Sequence, residues 1–304
     1  MPNFLSKVVI RKNSNIFGAL FMSIAMFGYI SNDTIIKYYA SALPVSQTIF
    51  IRGIFVTVLI SIFCWQRGAF KSAIKKEDWS LVILRTGVDL LATLLFLTAL
   101  FNMPLANASA ILQTLPLSVT LLGAMLLGER FGRYRAFAII MGFFGAILII
   151  KPGSSGFNSY SLFAVAAVLL ITVREITTRK ISKQSSTLLI TFITAGSITL
   201  AGAAGGLFYH NWVPVPLETI TGLTMASICI FLAYYFSIPA MQFGEISFVQ
   251  PFRFTLMIWA VMFGFFFFEE IPDNLTILGL LIVIAAGVFT YYREATSNHT
   301  PNNK

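Results

Sequence analysis

Charged side chains are scarce in this chain of 304 residues: Asp, Glu, Lys and Arg make up 11% of it, where soluble domains carry roughly 25%. With 57% hydrophobic residues and a mean hydropathy of +0.82, the apolar surface exceeds what one water-soluble core of this size hides. That argues against a large soluble enzyme with long buried strands. Cysteine is almost absent. Cys64 and Cys229 both fall in apolar runs, without CxxC or Cys/His spacing, so packed free thiols are expected and no metal site. Histidine is equally rare, and His210 and His299 lie in a loop and in the tail, which leaves no imidazole relay or metal cluster inside an apolar segment. No G-x-x-x-x-G-K-S/T phosphate cradle occurs, so ATP is not the expected energy source. HExxH, a Ser/Lys pair and paired aspartates are likewise missing from the apolar runs. Neither catalytic residues nor a cofactor are therefore expected. The formal charge of +9 does not point to nucleic acid, because that partner needs a basic face on a soluble domain.

What the chain does have is length of hydrophobic run. Crossing hydrocarbon takes about 20 helical residues, and backbone groups there must be satisfied within the segment or in a closed barrel. The runs here are too long for barrel strands of about 10 residues, so the class is an all-α membrane protein. Its spans are expected at about 16–36, 44–65, 79–101, 105–127, 132–150, 158–178, 186–208, 217–237, 247–268 and 272–292. Pro44, Pro104, Lys151 with Pro152 and Gly153, Pro214, Pro216 and Pro272 mark most boundaries. The sixth span is the weakest, because Arg174 and Glu175 stand near its end.

Basic residues sort by loop. The N-terminal tail, loops 2/3, 4/5 and 6/7 and the C-terminal tail hold 15 Lys and Arg, whereas the alternate loops hold only Lys37 and Lys151. This asymmetry predicts an even number of spans, with both termini in the cytoplasm of a bacterial inner membrane. Residues 1–15 and 293–304 are then cytoplasmic tails. Although Lys7, Arg11 and Lys12 precede the first apolar run as in a secretory signal, no small-residue cleavage site follows, and an uncleaved first span is expected.

An internal repeat runs through the chain. Asn107 to Gln113 opens a span that passes Pro116 and closes on Gly128 and Glu129, followed by a span with Gly142 and Gly145. Later, Glu245 to Pro251 opens a span that passes Arg253 and closes on Glu269 and Glu270, followed by a span with Gly279 and Gly287. Two repeats, 16–150 and 158–292, hold five spans each. Because five is odd, the second copy enters the membrane from the opposite side. This 5+5 inverted repeat of about ten transmembrane helices is a design that supports two interconvertible states.

The order of these features resembles the drug/metabolite transporter superfamily, in its ten-helix EamA-type branch. The resemblance covers about Ile16 to Tyr292 and is carried by Pro104 to Glu129, by the Gly-rich span ending Lys151, Pro152 and Gly153, and by the second copy closing Phe268, Glu269 and Glu270. It implies a five-plus-five bundle around a central cavity that transports metabolites. The run Leu95 to Gln113 further resembles bacterial members assigned to riboflavin uptake.

Ionisable groups at membrane depth cost roughly 2.5 to 3.5 kcal/mol each, so they should face the bundle interior, a partner or water. Arg85 and Asp89, at i and i+4 of the third span, are spaced to pair, either locking that helix or orienting Arg85 toward the solute. Arg52 has no charged neighbour at helical spacing and must find its partner on another helix or on the substrate. Arg253 either faces the cavity or snorkels to the interface. Asn107, Ser109, Gln113 and Pro116 share the fourth span. There the proline frees a carbonyl, and Gln113 either hydrogen-bonds cargo or ties helices together. Asp33 and Lys37 form an interfacial pair, or Asp33 serves gating or coupling. Tyr234, Tyr235 and Trp259 are placed to stack on a planar cargo or to pack. Glu129, Glu269 and Glu270 are expected to cap or anchor span ends.

Together these residues point to a secondary transporter moving a small organic metabolite, such as riboflavin or a similar vitamin, an amino acid or a nucleoside-like solute. Its partners are that small molecule and the lipid bilayer, with no nucleic acid. A membrane-embedded enzyme and a non-transporting membrane subunit are the alternatives.

Overall fold

A computed structural model of the chain describes residues 2–127, 133–152, 157–182, 184–209, 212–243 and 249–297. Gly128, Glu129, Gly153, His210, Glu245 and His299, which figured above, lie outside the described residues, as do Arg130, Lys183 and Lys304 among the 15 basic residues of the tails and loops. So do the side chains of Lys7, Arg11, Lys12, Arg133, Arg135, Gln250 and Arg293. Among the described residues every regular element is helical. The helices are α1 (Pro2–Tyr38), α2 (Val45–Gln66), α3 (Trp79–Asn102), α4 (Leu105–Leu112), α5 (Leu115–Leu127), α6 (Arg133–Ile150), α7 (Tyr160–Lys180), α8 (Thr187–Tyr209), α9 (Leu217–Phe243), α10 (Thr255–Phe268) and α11 (Asn274–Ser297). Short 3₁₀ turns occupy Ala69–Lys71, Lys76–Asp78 and Gln250–Phe254.

Eight helical stretches are long and apolar enough to span a membrane, and two shorter apolar helices, Ala136–Ile150 and Asn274–Phe289, occupy the fifth and tenth places. Large apolar side chains such as Trp65, Ile83, Phe137, Leu200 and Phe266 are exposed on the outside, where lipid is the solvent.

Two spans are not continuous α-helices. The fourth breaks between α4 and α5 at Gln113 and Thr114, and Pro116 sits in the first turn of α5, where its missing N–H costs nothing. For the same reason the carbonyl of Leu112 has no i+4 donor. The ninth span passes through the 3₁₀ turn Gln250–Phe254, with Pro251 near its start, before becoming α10. The two prolines in the repeated segments thus give both halves a broken helix at the same stage.

Packing crosses between the halves. The most extensive contacts join α1 with α9, α3 with α7, α2 with α8 and α6 with α11. Exchanging the first repeat for the second, span by span, turns the α1–α9 pair into the α7–α3 pair and leaves the other two pairs unchanged. A two-fold-related inverted repeat has this signature. On the α6–α11 interface Gly145 and Gly279 face each other. A Cβ on Gly279 would stand 2.6 Å from the carbonyl oxygen of Gly145, and one on Gly145 would stand 2.9 Å from that of Gly279. Small residues let backbones approach this closely.

Candidate functional site

Between the halves lies a cavity of about 410 Å³, within the range of small-molecule sites. Its walls come from seven spans. Met26, Tyr29, Asn32 and Asp33 repeat along one face of α1, and Asp89, Ala92, Thr93, Phe96 and Leu97 along one face of α3. Ser109, Leu112, Gln113 and Pro116 follow i, i+3, i+4, i+7 across the break of the fourth span. Arg52, the Ile171, Arg174 and Glu175 stretch of α7, Tyr234 and Arg253 complete the lining.

The charges of this cavity are held in two clusters and one remainder. Arg52 donates from Nε to Asn32 Oδ1 at 3.1 Å, and Asn32 donates from Nδ2 to Asp33 Oδ1 at 2.8 Å. Arg174 bridges two carboxylates, with Nη1 2.9 Å from Asp89 Oδ1 and Nη2 2.5 Å from Glu175 Oε1. Arg253 has its backbone carbonyl fixed by Gln113 Nε2 at 3.0 Å, which ties the break of the fourth span to the 3₁₀ turn of the ninth. Tyr29 and Tyr234 meet edge to face, with ring centroids 5.4 Å apart.

The cavity is closed toward one face of the bundle. Beyond it stand Ile36, Leu100 and Leu105, all fully buried. Outside that layer Lys37 pairs with Glu270 at 2.9 Å and donates to the carbonyls of Leu100 and Met103. Glu270 also caps α4, accepting from the Leu105 N–H at 2.7 Å. The Lys37 side chain is only 9% exposed, whereas Glu175, at the other end of the cavity, is 41% exposed. Access is therefore toward the face that carries loop 6/7.

Eight of the residues singled out in the sequence meet at this cavity: Asp33, Arg52, Asp89, Ser109, Gln113, Pro116, Tyr234 and Arg253. Four do not line it. Arg85 does not pair with Asp89; it donates from Nε to the Thr178 hydroxyl at 3.0 Å and from Nη1 to the Thr194 hydroxyl at 2.7 Å, while Arg174 takes the carboxylate. Asn107 lies off the helical face shared by Ser109 and Gln113. Tyr235, one step of about 100° around α9 from Tyr234, packs edge-on against Phe236. Trp259 packs on Phe27 at 5.1 Å and on Phe263, with its indole nitrogen buried and unpartnered among the described residues. The expected Asp33–Lys37 pair is also replaced, because Glu270 takes Lys37.

Sequence reasoning passes over Tyr29, Asn32, Arg174 and Glu175 as cavity residues. Arg174 and Glu175 make the sixth span look weak, and that same polarity at membrane depth is the signal of their place in the site. Among the described residues no group of three or more His, Cys, Asp or Glu is placed to hold a metal.

The chain is 26% identical to the pseudopaline exporter CntI of Pseudomonas aeruginosa, across 88% of this chain and 94% of that one. It is 24% identical to the S-adenosylmethionine uptake transporter of Rickettsia prowazekii, across 88% and 89%. A crystal structure that superposes with a TM-score of 0.61 covers 95% of this chain and 100% of its own at 16% identity, a likeness of fold alone. Residues 16–151 and 158–292 each match the EamA-like transporter family. Nearly the whole chain is covered by those two matches, and it belongs to the EamA-like transporter family.

Proposed function

We propose that the small solute carried by this transporter is zwitterionic and amino-acid-like, and that it crosses by alternating access between the two five-span repeats. The observation that carries this reading is the lining of the cavity. Three guanidinium groups, Arg52, Arg174 and Arg253, stand against three carboxylates, Asp33, Asp89 and Glu175. Charges of both signs at membrane depth are costly and are retained where a solute uses them. A neutral planar vitamin such as riboflavin would use the Tyr29–Tyr234 pair but leave the ions unanswered. The relatives named above are an S-adenosylmethionine carrier and a pseudopaline exporter, and the first of these cargoes joins an amino-acid end to a cationic centre.

The 15-to-2 sorting of basic residues outside the spans supports cytoplasmic termini, an inner-membrane location, and 1–15 and 293–304 as tails. The cavity then faces the cytoplasm in this state.

The test is counterflow in proteoliposomes without ATP, using S-adenosylmethionine, α-amino acids, nucleosides and riboflavin as labelled solutes. Exchange of a zwitterion, recovered chemically unchanged, is the expected outcome, and it separates carriage from a membrane-embedded enzyme. Exchange of riboflavin or nucleosides with no exchange of any zwitterion would overturn the reading.

A further inference from the structure

The charges of the cavity balance in sum but not in place. Asp89 and Glu175 share Arg174, the one guanidinium of the lining that contacts them, and Arg85, which does not line the cavity, adds a second positive charge to their surroundings. Arg52 and Asp33, joined through Asn32, cancel. The remaining positive charge of the lining is Arg253, whose guanidinium makes no hydrogen bond or ion pair among the described residues. A guanidinium carries five N–H donors in a planar fork suited to a carboxylate. Leaving one beside a cavity in a low-dielectric bundle without an anion is expensive.

Its placement is also fixed. The residue sits in the 3₁₀ turn Gln250–Phe254 that follows Pro251, and Gln113 holds its carbonyl from the break of the fourth span. Snorkelling does not account for a side chain that lines the cavity together with Leu256, one turn on.

We infer that Arg253 is the specificity-determining residue that binds the carboxylate of the cargo, while the Asp89–Arg174–Glu175 cluster receives its cationic end. The inference rests on the zwitterion reading and assigns its two poles. Gln113 is a positioning residue, acting on cargo through the Arg253 backbone.

The experiment uses the full-length protein in proteoliposomes. S-adenosylmethionine and the α-amino acids are tried as labelled solutes, and the one that exchanges fastest is competed by itself and by its carboxamide. In the unsubstituted protein the acid should compete at least about tenfold better than the amide, the value of one charge-assisted contact. In Arg253→Gln the ratio should fall to about one, with KM raised about tenfold and kcat within about threefold, and Arg253→Lys should restore part of the ratio. A structural role for Arg253 would weaken acid and amide alike and leave the ratio unchanged, which overturns the inference while the zwitterion reading stands. If no zwitterion exchanges in the unsubstituted protein, both fall.

Discussion

Lys37 Nζ stands 2.9 Å from Glu270 Oε1, although 233 residues separate them. The pair joins the end of the first span to the end of the ninth. Glu269, in the left-handed region at φ 55°, turns the chain there so that Glu270 also reaches the N–H of Leu105. One side chain thus holds three spans together above the buried layer of Ile36, Leu100 and Leu105.

If that pair latches the closed face, Glu270→Gln should loosen it. A cysteine at Ile36, in a background lacking Cys64 and Cys229, should react with a membrane-impermeant maleimide several-fold faster in Glu270→Gln than beside the native glutamate. Removing one partner strands the other, so each single variant should lose about 2 kcal/mol of stability, and Lys37→Met with Glu270→Gln should recover part of it. Unchanged labelling would mean that the apolar layer alone closes this face.

Arg85 and Asp89 should separate by phenotype. Arg85→Met removes two hydrogen bonds that tie α3 to α7 and α8, at a cost of about 1–2 kcal/mol, with KM within about twofold of the parent. Asp89→Asn instead alters the cavity and should lower kcat/KM at least about tenfold, which is about 1.4 kcal/mol. Melting temperature and counterflow kinetics on both variants distinguish them.

Two glycines offer a packing test. Gly279→Ala drives a methyl group against the Gly145 carbonyl and Ile149 and should destabilise the protein by about 1–3 kcal/mol. Gly87→Ala meets nothing within 4 Å and should be neutral or stabilising by up to about 1 kcal/mol. Comparable losses in both melting curves would contradict the close α6–α11 approach.

At the turn into the last span, Asp273 accepts from the Thr276 N–H at 2.9 Å and pairs with Lys151. The Lys151 ammonium, followed by the bonds from Thr276, lowers its carboxyl from the usual 3.8 to about 2. A depressed carboxyl contributes stability that is present above about pH 4 and lost as pH falls toward 2. Because the side chain is half exposed, the ion pair itself is worth under about 1 kcal/mol. Asp273→Ala loses cap and pair, about 1–2 kcal/mol at pH 7 in denaturant titrations, whereas Asp273→Asn keeps the cap and loses less. The stability difference between the parent and the Asp273→Asn variant should vanish near pH 2; a difference that persists there contradicts the assignment.

The span boundaries were legible where prolines and basic loops interrupt long apolar runs, and most helices fall within a few residues of their expected places; α1 instead begins at Pro2, ahead of the expected 16, and α10 at Thr255, beyond the expected 247. The cavity was partly legible, since a polar residue at membrane depth announces itself whatever its partner. Partners were not. Helical spacing relates Asp89 only to its own helix, and so suggested Arg85, while the guanidinium that answers it comes from α7, 85 residues on. Lys37 and Glu270 show the same limit, because nothing local to Lys37 competes visibly with Asp33 one turn away. Tyr234 and Tyr235 are adjacent and chemically identical, so only the azimuth of α9 decides which one lines the cavity.

The crosswise pairing of helices has a consequence for biogenesis. After five spans have left the translocon, α1, α2, α3 and α6 still lack the neighbours against which each packs most extensively. The amino-terminal portion is therefore an open scaffold awaiting the rest of its own polypeptide, and quality-control proteases meet it in that condition. Severing the link near residue 155 and producing both fragments in one cell should rebuild a working carrier, whereas either fragment produced by itself should be cleared.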